Sequence, residues 1–188
     1  MNETPQGDVT RLLTSMAAGD AAAEDRLIRL LYRELQMMAA KRLGTSFSNE
    51  MLSPTALVHE AFIRVFRQNH GVPLQNRKHL YFAFAQAIWR IAVEQSRRTL
   101  RRRACDARFG WTLSRSGTDA AVVEFDDALS CLRTTFPREF QITILRKSLG
   151  FSAHEIAEVL DVSPTTVLRG WNVARAFLGR HLQRSQTS

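Results

Sequence analysis

A chain of 188 residues with 45% hydrophobic and 23% charged side chains carries enough apolar material for a folded core, which excludes a disordered chain and allows one domain or two small ones. Its formal net charge of +8, from 26 Lys plus Arg against 18 acids, favours a polyanionic partner such as nucleic acid or an anionic membrane surface. The two cysteines, Cys105 and Cys131, show no paired spacing and no neighbouring histidine pair, so neither a metal site nor a disulfide framework is expected.

The opening MNETPQGDVTRLL is polar from its first residue and lacks the pattern of an export signal, so a cytoplasmic location is expected. A short helix is expected after Asp8. "GDAAAEDRLIRLLYRELQMMAAKRL" then gives a long one, with Asp20 as its cap and Leu27, Leu30, Leu31, Leu35 and Met38 on its apolar side. "LSPTALVHEAFIRVF", residues 52–66, starts a third helix. Leu57, Val58, Ala61, Phe62, Val65 and Phe66 form its apolar stripe, and His59, Glu60, Ile63, Arg64 and Arg67 lie outside it. Its first turn carries Ser53, Pro54, Thr55 and Ala56 and no acid, although the positive end of a helix dipole favours carboxylates there.

Residues 68–78 read as a loop, and a long helix follows from about His79 to Arg103. Its most apolar part, "LYFAFAQAIWRIAV" at 80–93, is broken by Gln86 and Arg90 and is shorter than the roughly 20 residues needed to cross a bilayer, so it reads as a core helix with no membrane role. Gln86, Arg90, Glu94, Arg97 and Arg101 recur three or four residues apart and share a polar face. The end of this helix, "RRTLRRRACDAR", concentrates arginine against Asp106 alone and repels itself unless solvated or paired with phosphates. "RFGWTLSRSGTDAA" loses periodicity and reads as a linker over 105–121. The fold class is therefore all-α, with two small helical domains, 1–104 and 122–183, joined by a flexible linker and followed by a tail at 184–188.

In "FSAHEIAEVLDVSPTTVLRGWNVARAFL", residues 151–178, Ser152 and Glu155 make a capping box for one short helix. Ser163 caps a second that has Pro164 in its first position. Ile156, Ala157, Leu160, Val162 and Val167 face inward. The short "DVS" connection fits a helix-turn-helix whose second helix enters the major groove. In that pose Thr165, Thr166, Arg169 and Asn172 reach base edges, while Ser163 and Arg175 sit nearer phosphates. The same pattern also fits an αα-hairpin that packs and binds nothing.

Three stretches carry a family resemblance. "LSPTALVHEAFIR" matches LxPTALVxEAxxR, "NRKHLYFAFAQAIWRIAVEQSRR" matches NRxHFxAxAAxAMRRILVDxAR, and the 151–178 block matches LSxEEIAxxLxVSxxTVxRxWxxARAWL. In this order, over nearly the whole chain, they resemble the extracytoplasmic-function sigma factors of bacterial RNA polymerase, and among these a subgroup with the PTALVxEA stretch. The resemblance implies a promoter-specificity factor that partners core RNA polymerase at its clamp and flap and promoter DNA, with no cofactor and no catalysis of its own. It implies that 1–104 docks on the clamp and opens the minus-ten element, through Asn76, Arg77, Lys78, His79, Tyr81, Arg90, Glu94, Arg97 and Arg98, while 122–183 reads the minus-thirty-five element as duplex. A plain core role is the preferred reading for Trp89 and stands level with strand capture for Tyr81.

Most of the wider family begins the clamp-binding helix with acids resembling DAEDLVQE. Here Ser53, Thr55, His59, Glu60 and Arg64 offer Glu60 as the one acid. Resemblance to the subgroup implies control by a partner Ser/Thr kinase through Thr55, whose phosphate would restore about −1.5 to −2 charge at the helix start. Alternatively, Ser53 simply caps and Thr55 has no further role. Leu168 stands where relatives often carry Lys or Arg, which leaves the promoter sequence open. The competing reading is a stand-alone helix-turn-helix regulator that binds duplex DNA without polymerase, and an interaction module that binds RNA or membrane through residues 97–108 ranks behind both. Residues 59, 70, 79, 154 and 181 are histidines in unrelated contexts, and no catalytic set can be assembled from them.

Overall fold

The computed structural model describes residues 5–43, 53–67, 74, 76–108 and 117–185. Among them the chain is all helix, as expected: α1 (Pro5–Ala17), α2 (Ala21–Leu43), α3 (Pro54–Phe62), α4 (Arg77–Arg108), α5 (Gly117–Thr135), α6 (Pro137–Ile144), α7 (Ala153–Leu160) and α8 (Pro164–Ser185). Two five-residue π-helical segments, Ile63–Arg67 and Leu145–Leu149, prolong α3 and α6.

The apolar stripes explain the packing. Leu27, Leu31 and Leu35 of α2 are fully buried between Val9 and Leu13 of α1 and Leu57, Val58 and Ala61 of α3. Phe62 ties α3 to its neighbours, with ring centroids 5.8 Å from Tyr32 and 4.8 Å from Phe84 of α4. In the C-terminal half Leu129, Leu132, Ile142, Leu145, Ile156 and Val167 close a second centre. The two halves share one apolar cluster, because α4 packs along α5, α6, the second π segment and α7. Tyr81 meets Phe151 edge-on at 5.4 Å, Phe82 meets Phe140 at 6.1 Å, and Trp89 meets Phe125 at 5.5 Å.

Several boundaries differ from the sequence reading. The first helix begins at Pro5 and not after Asp8. Asp20 caps α2 as expected, its Oδ1 accepting from the backbone N–H of Ala22 and Ala23. Leu30 points outward and is exposed, since α1 and α3 cover only the stripe through Leu27, Leu31 and Leu35; the side chain of Met38 lies outside the described set. α4 starts two residues earlier and ends five later than the periodicity suggested. Arginine is a good helix former, and pairing of Arg103 with Asp119 at 3.0 Å relieves part of its tail's repulsion. Residues 105–108 and 117–121, read as linker, are therefore helical, and 109–116 lie outside the described residues. Likewise Arg184 and Ser185, read as tail, belong to α8.

Candidate nucleic-acid and polymerase interface

Three surfaces gather the residues singled out by sequence. The first is the start of α3. Ser53 is extended, its Oγ accepts from the N–H of Ala56 at 3.2 Å, and Pro54 occupies the first turn, whose missing N–H costs nothing there. Thr55 is exposed, its Oγ1 held loosely by Gln36 Nε2 at 3.5 Å, and no acid stands in this turn. His59 is exposed one turn on.

Glu60 and Arg64, both read as polymerase-binding, are joined to each other and to α4. Arg64 forks onto Glu94 of α4 through Nη1 and Nη2 at 2.9 and 2.8 Å, while its Nε donates to Glu60 at 3.0 Å. A two-pronged guanidinium–carboxylate pair is the strongest surface geometry available to these groups. The hydrogen bond from Arg64 holds the Glu94 carboxyl below the usual carboxylate range, and the reciprocal bond pushes Arg64 upward. Arg64 thereby joins the α3 surface to α4.

The second surface is α4. Asn76 caps it, its Oδ1 accepting from the N–H of His79 at 3.0 Å. His79, Arg90, Arg97 and Arg98 are exposed and Lys78 is half-buried. Tyr81 is wholly buried; its hydroxyl donates to Glu34 Oε2 at 2.7 Å and Arg77 lies 5.0 Å from its ring centroid. Burial, and then Glu34, push its ionisation far above the usual tyrosine range. Glu94 is taken up by Arg64, and Arg97 Nη2 donates to Asp126 of α5 at 3.2 Å. Trp89 is buried, as the core reading required, but its Nε1 also donates to Asp126 at 2.8 Å. The structure thus brings His79, Arg90 and Arg98 to the outside and turns Tyr81 inward.

The third surface is the α7–α8 pair. The capping box forms in full: Ser152 Oγ accepts from Glu155 N–H at 3.3 Å and Glu155 Oε2 accepts from Ser152 N–H at 2.7 Å. Asp161, at φ 55°, ends α7 in the left-handed region and turns the chain into the next cap. Ser163 Oγ accepts from Thr166 N–H at 3.1 Å and lies 2.8 Å from Thr166 Oγ1, so both hydroxyls are engaged in the cap. Thr165, Arg169, Asn172 and Arg175 are exposed, and 165, 169 and 172 share a helix face. Ile156, Ala157, Leu160 and Val167 are buried and Val162 half-buried, as the pattern required.

Two features add to the sequence reading. Leu168, 49% exposed, stands beside this face, where an apolar side chain suits a thymine methyl better than a phosphate. An open groove of about 640 Å³ between the ends of α5 and α8 is lined by Arg180, the exposed Phe136 and Val173, and the half-buried Phe177. Its signal in the sequence was faint, since one phenylalanine before a proline does not distinguish surface from core. Among the described residues no group of metal-ligating side chains is present, both cysteines are free and exposed, and no helix is long and apolar enough to cross a membrane.

Comparison with known proteins adds one match. The family model described as ECF sigma factor matches residues 6–184, which spans all three surfaces. No curated protein and no solved structure matches.

Proposed function

The chain belongs to the ECF sigma factor family, and from that premise we propose how its surfaces divide the work of initiation. Membership makes it a non-catalytic transcription initiation factor whose partners are core RNA polymerase and promoter DNA. In our reading residues 1–104 dock on the clamp and open the minus-ten element, and residues 122–183 read the minus-thirty-five element as duplex. Support for the second role comes from the exposed triad Thr165, Arg169 and Asn172 on a capped second helix. Asn and Arg side chains are suited to adenine and guanine edges, and Thr165 to either. Support for the first comes from the exposed basic face of α4 at Arg90, Arg97 and Arg98, which suits single-strand phosphates.

Clamp binding is assigned to Ser53, Thr55, His59, Glu60 and Arg64, under the control of a Ser/Thr kinase. The observation that carries the switch is the chemistry of the α3 start. Ser53 turns its hydroxyl back onto the helix, Thr55 leaves its own at the surface, and no carboxylate occupies the turn. A phosphate on Thr55 would place about −1.5 to −2 charge and three acceptors at the positive end of the helix dipole. Glu60 is already bonded to Arg64, so the unmodified turn offers little charge to a basic clamp surface.

Run-off transcription with bacterial core polymerase tests both levels, comparing wild type, Thr55→Ala, Thr55→Glu and kinase-treated protein. Initiation only by the phosphorylated form, with or without the Glu variant, is the expected result. Equal initiation by untreated wild type and Thr55→Ala removes the switch and leaves the initiation factor intact.

A further inference from the structure

Among the described residues the large apolar side chains left exposed are Leu30, Phe136, Leu168 and Val173. Phe136 and Val173 line the open groove against α5, and Leu30 lines another on α2 beside Arg26 and Tyr32. Leu168 lines neither groove. Thr165, Leu168, Arg169 and Asn172, all exposed, fall within an arc of about 100° on α8. The buried Val167, Gly170, Ala174 and Leu178 lie on the opposite side of the helix, and Val173 lies about 140° round it from Leu168. Neither the core nor the groove can therefore cover Leu168. A single exposed leucine is ordinary on a protein surface, so its position carries the weight here and its exposure alone does not. The half-buried Thr166 lies with its hydroxyl 2.8 Å from Ser163 Oγ and belongs to the cap, which takes it out of the outward set. The face that remains offers one hydroxyl, one amide, one guanidinium and one isobutyl group, and the first three all call for polar base edges.

We infer that Leu168 is a specificity-determining residue that reads the 5-methyl group of one thymine in the major groove of the duplex element. This rests on the duplex-reading role proposed for α8. Of the four bases only thymine presents an apolar group in that groove. Guanine and adenine present N7 with O6 or the N6 amino group, and cytosine presents its N4 amino group, each of which a leucine covers without supplying a hydrogen bond. A thymine methyl against Leu168 instead removes two apolar surfaces from water together. The contact carries no charge, so it adds sequence preference without the sequence-independent phosphate attraction that a cation at this position would bring. Thr165, Arg169 and Asn172 address polar edges of neighbouring pairs, and Leu168 selects T·A over C·G at its own.

The test begins with selection of duplexes from a randomised library by the full chain, untreated and as Thr55→Glu, each with and without bacterial core polymerase. Each thymine of the selected duplex is then replaced in turn by deoxyuridine, which removes one methyl and leaves O4 and the pairing edge in place. At one thymine the form that selected the duplex should lose about fourfold in affinity, the factor that corresponds to burial of one carbon. Leu168→Ala, whose side chain ends at Cβ and whose exposed position leaves the helix intact, should bind the thymine duplex more weakly by a similar factor and be indifferent to that replacement. Val173→Ala, altered at the other exposed large apolar residue of α8, should keep the full methyl dependence. A duplex with no methyl-sensitive thymine, or one whose sensitivity Leu168→Ala retains, overturns the inference and leaves duplex reading by α8 in place. If no form selects a duplex under either condition, duplex reading falls and the inference with it. Selection only in the absence of core polymerase replaces the initiation factor by a stand-alone regulator, and the same deoxyuridine scan then decides the role of Leu168.

Discussion

Arg64 shows how a side chain proposed for binding also serves as a strut. Each of its three guanidinium nitrogens donates to Glu60 or Glu94, tying the α3 surface to α4. Arg64→Ala should lower stability by about 1 kcal/mol, well short of a fully buried pair because Glu94 is 45% exposed and water screens it. That corresponds to a melting temperature lower by roughly 2–4 °C for a chain of this size. The sign with pH follows from the lowered carboxyl of Glu94. Its contribution is complete above the ordinary glutamate value of about 4.3 and fades as pH falls through the lower folded value. Thermal melts of wild type and Arg64→Ala should therefore differ by a constant amount between about pH 5 and pH 7 and converge below about pH 4.

At the scale of elements, helices were visible wherever an apolar stripe met a cap, but how closely they approach was not. Gly170 of α8 lies against α6, and a Cβ added there would come within 2.6 Å of Ile142 Cδ1, a fully buried side chain. Gly179 of the same helix has nothing within 4 Å. Both glycines lose about 1 kcal/mol of helix propensity relative to alanine. Gly179→Ala should recover it and raise the melting temperature by roughly 2–4 °C, whereas overpacking at Gly170→Ala, about 1–3 kcal/mol, should cancel or exceed the gain. Differential scanning calorimetry of the two variants checks this. Gly150, at φ 73°, is required for another reason, since it ends the π-helical run after α6 in a conformation that L side chains rarely adopt.

On the scale of the whole molecule, the net charge of +8 is placed unevenly, and the tail of α4 carries much of what faces solvent. Arg98 and Arg101 are exposed, and strand binding through them should be strongly salt-dependent. Arg98→Gln/Arg101→Gln should flatten the plot of log affinity for single-stranded DNA against log salt by roughly 1.4, about 0.7 for each lost phosphate contact. An unchanged slope in anisotropy titrations would place the strand elsewhere. Because α4 packs against both halves, it is also the element that would couple the proposed docking at α3, strand capture and duplex reading.

The sequence by itself determined the helical class, the caps at Asp20, Ser53, Ser152 and Ser163, the inward stripes of α3 and α7, and the order of motifs that resembles the family. Those features are local: a cap needs one side chain and the amides within three residues of it, and a stripe needs only the 3.6-residue period. Tertiary structure alone decided that Leu30 faces out, that Arg64 is taken by Glu60 and Glu94, and that Tyr81 is buried between Glu34 and Phe151. It also decided that the arginine-rich end of α4 continues as helix beside Asp119 and Asp126. Each of these depends on a partner distant in sequence, and periodicity records which face of a helix is covered without recording what covers it.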